Sequence, residues 1–191
     1  MKKIITALFG FLILTACSAK PVSTTIPLQP SPTARVLPTS SAPSDSILWQ
    51  GLQMKMDQAE ITDDFITDFG TTRNPAAGDK FLWVHVLLEN TGNTEMDTPL
   101  AEHFSVLYAA AEFKPTYGHR KDHMDYITLD ALLFPDQQVE AWLRFDIPIA
   151  AELKDLRFVF LPESSHVGVS FSSPNYPYAD DHPTFVWNCA P

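Results

Sequence analysis

The stretch Gly118-His119-Arg120-Lys121-Asp122-His123-Met124-Asp125-Tyr126 crowds nitrogen, oxygen and sulfur donors into one short segment. His119, Asp122, His123 and Asp125, with Met124 beside them, are side chains that Zn(II) or copper accepts as ligands. On a helical turn His119 and His123 would share one face. Against a metal, Arg120 and Lys121 put two positive charges inside the set. No further ligand can be picked out elsewhere in the chain. A solvated, charged hairpin loop accounts for the same residues. That reading is preferred, and no cofactor is expected.

Other chemistry is sparse. Carboxylates pair at Asp63-Asp64, with Asp68 nearby, and at Asp180-Asp181. The first group lacks the alternating acid spacing of a calcium loop. The seven glycines form no phosphate-cradling loop, and H-E-x-x-H, C-x-x-C and G-x-S-x-G are absent. Of the two cysteines, Cys189 has no partner once Cys17 is accounted for below, and is expected as a packed, inert thiol. No nucleophile–base pair emerges, so an enzyme is not expected. A formal charge of −10 opposes phosphate backbones and excludes nucleic acid as a natural partner.

The elements that must position these residues are strands. Leu52, Met54 and Met56 alternate with Gln53, Lys55 and Asp57. Val139, Ala141, Leu143 and Phe145 alternate with polar neighbours and Trp142. Phe104–Tyr108, Leu156–Phe160 and Val167–Phe171 repeat the period of two, which marks half-buried strands. Turn-forming pieces separate them, at 74–79, 90–99, 134–138 and 161–165. Strands at this spacing without long amphipathic helices predict an all-β, antiparallel sandwich. One strand is apolar on both sides. If Leu82, Val84, Val86 and Leu88 face the core, then Phe81, Trp83, His85 and Leu87 face out, and Trp142 does the same from its own strand. Such a face must be covered by the chain or by a protein partner. His85 there reads as a packed imidazole. The segment from about 174 to 191 carries Tyr176, Tyr178, Phe185 and Trp187, too apolar for a disordered tail. It is expected to fold back as a strap over that face, with Phe185–Trp187 pairing as an edge strand.

The order of pieces resembles a family. "AAGDKFLWVHVLLENTG" (76–92), "FSVLYAAAEFKPTY" (104–117), "LLFPDQQVEAWLRFDIP" (132–148) and "LRFVFLP" (156–162) are similar to secreted bacterial domains of unknown function related to an immunoprotective extracellular antigen. The resemblance implies an immunoglobulin-like sandwich. Asn90 and Phe145-Asp146-Ile147-Pro148 match the family's strand ends, while Asp136 stands where it usually has a turn glycine. These motifs describe core and turns, so the resemblance transfers no catalytic residue.

The chain's beginning points outside the cytoplasm. Lys2 and Lys3 precede an apolar run, Ile4–Ala16, of about 20 Å as a helix, too short for a hydrocarbon core of about 30 Å. This is a secretory signal. Leu14-Thr15-Ala16-Cys17 resembles the lipobox of bacterial lipoproteins, which implies lipidation of Cys17 and a membrane held through acyl chains. The expected layout is a signal peptide at 1–16, lipidated Cys17 with a Pro/Ser/Thr-rich linker through 45, and one domain at 46–191. The expected role is a binding or structural module at the cell surface. The alternative is an accessory protein of the envelope that binds a small ligand or a metal.

Overall fold

The computed structural model describes residues 40–109, 111–129, 131–162 and 184–191. The signal segment, Cys17, the linker up to 39, the expected strand at Val167–Phe171 and residues 174–183 lie outside them.

The strands in chain order are β1 (Ser46–Trp49), β2 (Leu52–Thr62), β3 (Phe65–Ile66), β4 (Thr72–Arg73), β5 (Asp79–Asn90), β6 (Met96–Asp97), β7 (Phe104–Tyr108), β8 (Ala111–Phe113), β9 (Leu132–Leu133), β10 (Gln138–Pro148), β11 (Leu156–Phe160) and β12 (Phe185–Asn188). Two four-stranded antiparallel sheets form, ordered β1-β2-β5-β10 and β12-β11-β7-β8. The short pairs β3-β4 and β6-β9 stand beside them. This is the all-β antiparallel sandwich that the alternation predicts.

The core lies between the sheets because period-two side chains from each meet there. Leu82, Val84, Val86 and Leu88 of β5 join Met54, Met56, Leu143 and Phe145 on one wall, all fully buried. Phe104, Phe158, Phe160 and Trp187 build the other. Phe104 stacks on Phe158 at 5.5 Å and on Phe160 at 5.1 Å, and Trp49 meets Phe160 edge-on. Each such aromatic contributes on the order of 2–3 kcal/mol through burial alone.

One irregularity re-aims β2. Met56 pairs with Val86, but Gln58, not Asp57, pairs with His85. The extra residue, Asp57, is a bulge, which shifts the alternation by one. Ala59 and Ile61 therefore pack against the core after it, and Glu60 joins Asp57 on the outer face.

Two expectations need correction. Of the expected strap only residues 184–191 are described, and these do not cover the outer face of β5. Phe185–Asn188 does become an edge strand, but it pairs with β11 in the opposite sheet and sends Trp187 into the main core. The reason is parity: with Val159 opposite Val186 and Phe158 opposite Trp187, the indole must share Phe158's inward side. The linker also ends earlier than residue 45. Ser41 forms a parallel bridge to Trp187, Ser44 N–H donates to Met56 O at 2.7 Å, and Trp187 Nε1 donates to Asp45 O at 2.9 Å. Residues 41–45 are thus part of the fold. The turn at Asp136 keeps glycine-like geometry without the glycine. Its φ is +64°, behind Pro135, and its N–H donates to Asn90 O at 2.8 Å. Aspartate is among the few residues that tolerate this region.

Candidate functional site

The outer face of β5 and β10 is covered by the chain itself. Two pieces do it: the β3–β4 hairpin and the segment 116–125. The segment runs along the free edge of β10. Thr116 N–H donates to Arg144 O at 2.7 Å, and Trp142 N–H to Met124 O at 2.8 Å. Such pairing closes an edge that would otherwise present open hydrogen-bonding groups. Lys121 N–H donates to Ile66 O at 3.0 Å and ties the segment to the hairpin.

Beneath this cover lies a second small core. Phe65 meets Phe81 and Trp83 edge-on, both at 5.1 Å. Phe81 is 4% exposed and Trp83 1%. The predicted aromatic face is therefore mostly closed, and Phe81 and Trp83 are not available to a partner. Most of the polar groups around it are paired; His123 Nδ1, 3.4 Å from Asp122 Oδ1, makes no hydrogen bond. Trp83 Nε1 donates to Thr62 Oγ1 at 3.2 Å, and the Arg120 guanidinium lies 5.4 Å over the Trp83 ring while pairing with Glu60. Trp142 is held between two imidazoles, His123 stacked at 3.9 Å and His85 tilted at 4.7 Å. His85 Nδ1 sits 2.7 Å from Asp57 Oδ1, and His123 Nε2 3.3 Å from Glu60 Oε1. His85 is a packed imidazole, tied to the carboxylate that the bulge supplies.

The candidate metal ligands do not converge. Asp125 is buried and spends both oxygens on backbone, accepting from Gly118 N–H at 3.0 Å and from Ile127 N–H at 2.9 Å. It caps the single helical turn Tyr126–Thr128. Asp122 pairs with Arg120 at 2.9 Å. His123 turns in onto Trp142. His119 turns the other way, 3.8 Å from Asp68 and edge-on to Tyr117. Among the described residues, no group of three or more His, Cys, Asp or Glu is placed to hold a metal. Cys189 is buried, and burial pushes its thiol up to about 12, which leaves it protonated and unreactive at neutral pH.

What the sequence did not single out is a cleft of about 520 Å³ at the end of this cover, open to solvent. Phe65, Phe81 and Arg144 floor it, and Phe69, Arg73, Tyr117 and His119 stand at its rim. Arg144 is fixed. Its Nε and Nη2 donate to Thr116 Oγ1 at 3.0 and 2.9 Å, and its guanidinium lies 5.1 Å over Phe81. Burial lowers its pKa from the ordinary value, and Asp146 and Asp125 oppose that. Gly118 makes room for it, since a Cβ there would sit 2.6 Å from Arg144 Nη1. The rim is different. Phe69 lies at the tip of the hairpin, next to Gly70 at φ +75°, and is 90% exposed. Tyr117 is 56% exposed. A signal was present in "TDFGT": an aromatic inside a tight turn cannot reach a core.

No family model matches the chain, and no curated protein matches it. Solved structures do. The yjhA protein from Bacillus subtilis is 13% identical over 75% of this chain and 95% of its own, with a TM-score of 0.51. A functionally unknown protein from Listeria monocytogenes is 12% identical over 79% of this chain and 84% of its own, also with a TM-score of 0.51. At such identities the likeness concerns the fold and transfers no residue's role. By its own sheets and by these likenesses, the chain is an antiparallel β-sandwich.

Proposed function

We propose that the protein is a lipid-anchored, extracytoplasmic binding module, related to the secreted immunoglobulin-like domains whose strand and turn motifs it shares. The lipobox at Leu14–Cys17 supports the anchor, and the Pro/Ser/Thr-rich linker supports a domain held off the membrane. The observation that carries the binding role is the cleft. Its floor is rigid and its rim presents aromatic rings that the fold does not need, the usual division of labour in a ligand site. This favours a small ligand over a flat contact through Phe81, Trp83 and Trp142. Arg144 is matched by Asp146, and His119 by Asp68. The described residues that line the cleft include no Ser or Cys to act as a nucleophile beside His119, so the site is read as binding without catalysis.

The anchor is tested by Cys17→Ser in the native cell. The variant should leave the membrane fraction or accumulate as an uncleaved precursor. A mature variant that still sediments with membranes, as wild type does, would remove the lipoprotein reading.

A further inference from the structure

We infer that the cleft binds a neutral saccharide, with a sugar face stacked on the rim aromatics and its hydroxyls held by the polar walls. The inference deepens the binding role proposed above and rests on it.

Charge is the first argument. Arg73 and Arg144 line the cleft, and so do Asp79 and Asp146. Two fixed positive charges face two negative ones, which favours an uncharged ligand over an anion or a cation. The second argument is the type of polar group. Guanidinium, carboxylate and the carboxamide of Asn74 are planar forks that make two parallel hydrogen bonds. Adjacent hydroxyls on a sugar ring offer donors and acceptors at a matching spacing. The third is the pair of exposed rings. Phe69 and Tyr117 leave aromatic surface in water that the fold does not recover. The C–H face of a pyranose is an apolar plate that can cover such a ring while its hydroxyls point elsewhere. A lipid tail would cover the rings but strip water from Arg73, Asn74 and Asp79 without replacing their hydrogen bonds.

Preorganisation is the fourth argument. Arg144 is already held by Thr116 and by the Phe81 ring, so little side-chain freedom remains to be lost when it meets a hydroxyl. The cleft's volume lies within the range of about 300–1,000 Å³ seen for ligand pockets. Because it is open, a chain of sugars can enter it along its length.

The test uses the full-length lipidated protein in detergent micelles, titrated calorimetrically with chitohexaose, cellohexaose and maltohexaose. At least one should bind. Phe69→Ala and Tyr117→Ala should each weaken that binding by about tenfold, the loss of one stacking contact. Their melting temperatures should match wild type, since neither ring is buried. Phe134→Ala, an exposed ring at the far end of β10, should leave binding unchanged. The inference is overturned if none of the three binds, or if binding survives the Phe69→Ala/Tyr117→Ala double variant. A failure here with Cys17→Ser still released from membranes removes the saccharide alone. A Cys17→Ser protein that stays bound in mature form removes the anchor, whatever the sugars do.

Discussion

The two faces of β5 bury similar side chains by different means. On the inner face, Leu82, Val84, Val86 and Leu88 meet a whole second sheet. Apolar area suffices there, and aromatic pairs such as Phe104–Phe158 fill it. On the outer face, among the described residues, Phe81, Trp83 and His85 meet a short hairpin and one extended segment. That cover has one buried large apolar side chain of its own, Phe65. The remainder is stacking and charge: Arg144 over Phe81, Arg120 over Trp83, and His123 on Trp142 with Glu60 behind it. A thin cover can seal a sheet when most of its polar groups are paired on the spot. It also ends in a cleft, because short elements cannot reach everywhere.

Trp187→Ala should have the largest effect. It empties a fully buried site in the inner core and removes the donor to Asp45 O. A loss of about 3–5 kcal/mol is expected in urea unfolding. The outer cluster should melt in the same transition, since it is built on β5 and β10.

Asp125→Ala should separate the two faces. It leaves the Gly118 and Ile127 amides without their acceptor, at a cost of about 1–3 kcal/mol. Hydrogen exchange should quicken at Gly118 and Trp142 while Val84 and Phe158 stay protected. Equal quickening in both regions would mean that the cover is no separate unit.

Asp136→Gly should act with the opposite sign. The turn at φ +64° begins β10, which serves both faces. Relieving a left-handed aspartate should stabilise the protein by about 0.5–1 kcal/mol, with both regions gaining alike. An unchanged melting temperature would show that Asp136 is already relaxed there.

Much of the inner core was legible. Met54, Met56, Leu143, Phe145, Phe158 and Phe160 all carry the period-two signal, and that signal needs no knowledge of what lies across the sheet. The two-sided strand was legible as well, and with it the need for a cover. The identity of the cover was not. Phe65 sits in a two-residue strand, too short to show any period. Glu60 reaches the outer face only because a bulge slips the register, and a bulge is visible only against its partner strand. The segment 118–126 was read as a charged loop with a weak metal pattern. The sequence could not show that Asp125 would cap, His123 would stack and His119 would turn away.

By itself the chain determined that strands form, which of their faces are apolar, and where tight turns fall, because those depend on neighbours a few residues apart. The tertiary structure decided which segment covers the outer face, why Trp187 belongs to the inner core, and that Arg144, Phe69 and Tyr117 meet at one cleft. Those outcomes depend on pairing between residues far apart in sequence. There, register and one inserted residue determine which side chains share a face, and no local pattern carries that information.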